Sequence, residues 1–84
     1  MEHEQKSKRF RTTKTNKKRV LFYSTYRINS RALETVIGCL PYNVGAMEAG
    51  CGTSVLAKDE DYVKSELLKN GFSEEIEEVD DETN

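Results

Sequence analysis

An 84-residue chain supports one domain at most, and at this size folding removes only about 60% of the unfolded surface from water, so the core must be small. Residues 1–19 hold eight Lys/Arg against two Glu (+6), and residues 20–84 hold five against 13 Asp/Glu (−8), so a formal net charge of −2 hides two oppositely charged ends. The chain has no apolar run of the roughly 20 residues that span a bilayer and no signal-peptide pattern. Its two cysteines are too few for a secreted disulfide framework, so a cytoplasmic protein with free thiols is expected.

In chain order, residues 1–18 contain Phe10 as their only large hydrophobe and show no apolar periodicity, which predicts a disordered basic arm. Residues 20–25, Val-Leu-Phe-Tyr-Ser-Thr, are β-branched and aromatic and predict a central strand. Asn29 or Ser30 then caps a helix whose apolar stripe is Leu33, Val36, Ile37 and Leu40, and Pro41 ends it. Cys39 is expected there as a buried apolar filler. Residues 42–47 predict a second strand, weakened by Gly45, and residues 53–57 a third, with Gly50-Cys51-Gly52 as the hairpin between them.

Asp59 is the expected N-cap of a second helix, with Glu60 and Asp61 in its first turn. Its inner face carries Tyr62, Val63 and Leu67, and it ends at Lys69-Asn70-Gly71, with Phe72 packing back. Residues 74–84 are acidic and predict either an edge strand or a solvated tail. The resulting class is α+β, a ferredoxin-like split β-α-β-β-α(-β) two-layer sandwich over residues 19–73. Its small core and exposed sheet edge also suggest a homodimer.

Chemistry has few places to sit. The single histidine, His3, lies in the basic arm, so no Cys-His or Ser-His nucleophile pair is available in the folded part. A four-ligand zinc site cannot be assembled without carboxylates, and neither a metal nor a cofactor is assigned. Cys51 is the sharpest candidate: Gly50 and Gly52 keep it uncrowded and let backbone N–H groups turn toward a thiolate or persulfide. The alternative is an ordinary small residue in a tight turn. The basic residues Lys6, Lys8, Arg9, Arg11, Lys14, Lys17, Lys18 and Arg19, interleaved with Phe10 and threonines, suit a phosphate backbone. Tyr23, Tyr26, Arg27 and Arg31 extend that surface, unless Tyr23 packs beneath a helix. Glu74, Glu75, Glu77 and Glu78 offer an acidic surface to a protein partner.

Phe22-Tyr23-Ser24-Thr25, Ala32-Leu33-Glu34, Gly50-Cys51-Gly52, Asp59-Glu60-Asp61 and the helix end Leu67-Leu68-Lys69-Asn70-Gly71 together resemble the small bacterial selenium/sulfur carrier-like domains, over residues 20–72. The resemblance implies that Cys51 holds sulfur or selenium as a persulfide or perselenide. Three functions therefore stand open. One is a sulfur carrier acting through Cys51, more a carrier than an enzyme. Another is a non-enzymatic interaction or inhibitor protein, of the kind mobile elements encode, acting through its acidic surface. The third is nucleic-acid binding through the basic N-terminal arm.

Overall fold

The computed structural model describes residues 8–16, 18–50 and 52–75. Their elements in chain order are β1 (Arg9–Asn16), β2 (Arg19–Ser24), α1 (Ser30–Gly38), β3 (Met47–Ala49), β4 (Gly52–Leu56), α2 (Glu60–Lys69) and β5 (Ser73–Glu74), with short 3-10 turns leading into both helices. None of the helices is long and apolar enough to cross a membrane.

The largest departure from expectation is β1. Instead of a disordered arm, residues 9–16 pair antiparallel with β2, from Phe10 opposite Ser24 to Asn16 opposite Arg19, with a bulge between Lys14 and Asn16. One hydrophobe suffices because it is placed well: Phe10 is fully buried, its ring centroid 5.8 Å from that of Phe22. Threonines at 12 and 13 suit the pleated backbone. At the turn, Lys18 N–H donates to Asn16 Oδ1 at 2.8 Å, the Asx-type bond that lets asparagine reverse a chain.

Strand β2 is central and alternates strictly. Val20, Phe22 and Ser24 are buried toward the helices, while Arg19, Leu21 and Tyr23 point the other way. β4 pairs antiparallel with β2 and sends Val55 and Thr53 into the same core. Above them lie Leu33 and Ile37 of α1, Val63 and Leu67 of α2, and Phe72. Val36 and Leu40 pack at the margin of this cluster.

The strand expected over 42–47 forms only from Met47. Gly45 adopts φ +67°, outside the extended range of a regular strand, and its N–H is taken by Asn43 Oδ1 at 2.7 Å. Val44 is nevertheless buried, and its carbonyl accepts the Leu56 N–H at 2.9 Å. Asp59 also departs from its expected role. It stands at the N-cap position of α2 but makes no side-chain cap bond. Its carboxylate, 4% exposed, accepts instead from the Tyr42 hydroxyl at 2.7 Å, tying the 42–46 segment to the start of α2.

The end of α2 is as predicted. Gly71 takes φ +92°, its N–H reaches Leu68 O at 3.2 Å, and Phe72 N–H reaches Leu67 O at 3.0 Å, the paired bonds of a Schellman motif. The chain then runs beside β1 as β5, parallel to it, with Arg9 opposite Ser73 and Phe10 opposite Glu74. The molecule is thus α+β, a five-stranded mixed sheet of order β3-β4-β2-β1-β5 with both helices on one face. The sheet has five strands where at most four were expected, and the added strand β1 lies between β2 and β5.

Candidate nucleic-acid interface

The second face of the sheet has no helix over it among the described residues. Strand register assigns its side chains in rows. Arg11 lies opposite Tyr23, which lies opposite Gly52, and Gly52 lies opposite Ala49. In the next row Thr13, Leu21, Ser54 and Met47 follow one another, and Arg19 pairs with Leu56 beyond them. Arg9 opposes Ser73 on the other side of the Arg11 row. Three guanidinium groups and one aromatic ring therefore share this surface. Glu75 is the sole acid on it among the described residues; Glu74, one residue earlier, turns to the helix side and meets Lys64 at 3.0 Å.

Each group is held differently. Arg19 Nε donates to Ser54 Oγ at 2.9 Å, and its Nη2 donates to the carbonyls of Ser54, at 3.0 Å, and Gly45. These acceptors are neutral, so they fix the guanidinium and leave its charge uncompensated. Arg11 Nη2 pairs with Glu75 Oε2 at 3.0 Å. That bond, with Tyr23 adding to it, raises the Arg11 guanidinium above its ordinary range, and the Glu75 carboxyl falls below its ordinary 4.5 mainly through Arg11. Arg9 makes no ion pair among the described residues.

Gly52 has a structural reason that its place beside Cys51 did not reveal. Its φ is not positive, so turn freedom is not its role. A Cβ there would collide with the Phe22 carbonyl, come within 2.8 Å of Tyr23 Cβ and within 3.1 Å of Leu21 Cδ1. Glycine at this position lets β4 lie close against β2 beneath Tyr23 and Leu21.

Of the other predicted site residues, Cys51 itself lies outside the described residues. Its neighbour Gly50 is exposed with φ +63°, so the glycine freedom expected of this turn is used at one of the two positions. Ala49 lies opposite Gly52 where β3 pairs with β4. A cleft of about 470 Å³ adjoins Gly50, lined by Ser24, Thr25, Arg27, Ser30 and Glu34. Cys39 is exposed and not buried, because α1 ends at Gly38 and Cys39 follows as its C-cap.

Among the basic residues, Lys6 and Lys17 lie outside the described residues, as do Glu77 and Glu78 among the acidic ones. Lys8 Nζ sits 5.9 Å from the centroid of the Phe72 ring, a cation–π contact. Lys14 and Lys18 are exposed on or beside the β1–β2 turn. Arg27 and Arg31 are exposed at the start of α1, apart from the Arg11 row. Tyr23 packs under no helix, since it shares the face of Arg11 and Gly52. The Arg11–Glu75 pair was missed by sequence reasoning; alternation of Arg9, Phe10 and Arg11 was its one available signal. No protein-family model, curated protein or solved structure matches this chain.

Proposed function

We propose that the chain binds single-stranded nucleic acid on the uncovered face of its sheet. The observation that carries this reading is the gathering of Arg9, Arg11, Arg19 and Tyr23 on one face that has a single acid among the described residues. Guanidinium groups recognise phosphate through charge and paired N–H donors. An aromatic ring on a strand gives an unpaired base a surface to stack on, which a base buried in a duplex does not use. Phosphate contacts carry no sequence information, so weak base preference is expected. The same reading takes the sheet as the split β-α-β-β-α-β arrangement with β1 added between β2 and β5, which leaves one face free for a ligand.

Fluorescence anisotropy with a labelled single-stranded oligonucleotide tests it. With three arginines engaged, the slope of log K against log salt should be roughly −2. Arg9→Ala should reduce that slope by about 0.7, and Tyr23→Ala should weaken binding by about 1–3 kcal/mol. Binding that survives both substitutions unchanged, or that prefers duplex, counts against the assignment.

A second reading, the sulfur or selenium carrier acting through Cys51, is supported by the cleft beside the neighbouring Gly50, whose lining sets Arg27 and Ser30 at the start of α1 against one acid, Glu34. Its test is the pH dependence of Cys51 alkylation in a Cys39→Ser background, since exposed Cys39 would otherwise contribute to the signal. A thiol titrating at the free-cysteine value of about 8.5 removes this reading.

A further inference from the structure

We propose that the acidic C-terminal segment, residues 76–84, docks on the arginine-bearing face of the sheet and competes there with nucleic acid. The proposal rests on the reading of that face as the nucleic-acid interface. Where the chain leaves the sheet is the first support. β5 borders β1, and Glu75 is already on the open face with Oε2 3.0 Å from Arg11 Nη2, so the segment starts beside the arginines.

Charge complementarity is the second. The nine residues after Glu75 contain Glu77, Glu78, Asp80, Asp81 and Glu82 and no Lys or Arg. Arg9 and Arg19 make no ion pair among the described residues. The helical layer offers the segment no comparable net positive charge, because Glu34, Glu60, Asp61 and Glu66 there offset Arg31, Lys64 and Lys69. Reach is the third. Nine extended residues cover up to about 30 Å. The four-residue offset between Tyr23, opposite Arg11, and Arg19 is only about 13 Å along β2. A tethered competitor acts at an effective concentration in the millimolar range, enough to mask a weak electrostatic site. Nucleic acid, with denser charge, displaces it.

The test uses the full-length chain with the five acids neutralised as Glu77→Gln, Glu78→Gln, Asp80→Asn, Asp81→Asn and Glu82→Gln, beside the unaltered chain. The arginine Nε–H resonances are recorded without nucleic acid, and affinity for a single-stranded oligonucleotide is measured at low salt. The expected result is a shift of the Arg9 and Arg19 resonances between the two chains, together with roughly tenfold tighter binding by the neutralised one. Coincident arginine resonances overturn the docking, even if affinity rises, since unscreened long-range charge would then account for the gain. Shifted resonances with no oligonucleotide binding by either chain support the docking and instead remove the nucleic-acid reading.

Discussion

Replacing Phe10 by alanine separates a structural first strand from a loose basic arm. Phe10 is fully buried and packs on Phe22, with ring centroids 5.8 Å apart. Truncating a buried phenylalanine costs about 3–5 kcal/mol, the lost transfer energy plus the cavity left behind. A domain of this length holds roughly 4–13 kcal/mol in total, so the substitution removes a large fraction of it. Urea unfolding followed by circular dichroism should show the midpoint fall by about 3–5 M, taking a slope near 1 kcal/mol per M. Lys14→Ala is the control: the same strand, but an exposed side chain, expected to change stability by about 0.5 kcal/mol or less. If Phe10→Ala matched this control, residues 9–16 would contribute nothing to the core and the assignment of β1 would be refuted. Because β1 carries Arg9 and Arg11, oligonucleotide affinity should fall along with stability.

Other consequences are checked with the same unfolding assay. Tyr42→Phe leaves the Asp59 carboxylate, 4% exposed, with only Lys58 Nζ at 3.4 Å, and should cost about 1–3 kcal/mol while the ring keeps its 4.6 Å stacking on Tyr62; a loss below about 0.3 kcal/mol would show that Asp59 does not depend on the hydroxyl. Before any substitution, the Tyr42 phenol should titrate above its ordinary 10, because its hydrogen bond to Asp59 and then burial favour the neutral form. Gly52→Ala should destabilise by about 1–3 kcal/mol, since the added methyl meets the Phe22 carbonyl and Tyr23 Cβ. Stability equal to the parent's would mean that β4 does not approach β2 this closely. The Glu75 carboxyl titrates below its ordinary 4.5 in the folded chain, so its contribution is full above 4.5 and is lost as pH falls through the lower folded value. Glu75→Gln should therefore flatten stability against pH only below about 4.5, and an unchanged acid limb would contradict the pairing with Arg11.

Local chemistry made several elements legible from the sequence. The run at 20–25 reads as a strand because β-branched and aromatic residues alternate there. The stripe from Leu33 to Ile37 has the period of a helix, and Gly71 with Phe72 closes α2 through bonds only a few residues long. Where a side chain had two possible partners, sequence was a poor guide. Asp59 looks like a helix cap, yet Tyr42, 17 residues earlier, takes its carboxylate. Asn43 and Gly45 settle a turn inside what alternation alone presents as a strand.

The site was less legible than the fold. Arg9 and Arg11 read as part of a disordered arm because Phe10 is the single large hydrophobe between residues 2 and 18. Burial of that one ring against Phe22 orders β1, and strand alternation then aims Arg9 and Arg11 away from the helices. Composition and periodicity by themselves determined an α+β chain with two helices, a central β2 and oppositely charged ends. The fifth strand and the arginine face came only with tertiary structure, because both follow from pairing between segments distant in sequence, whose register no local pattern encodes.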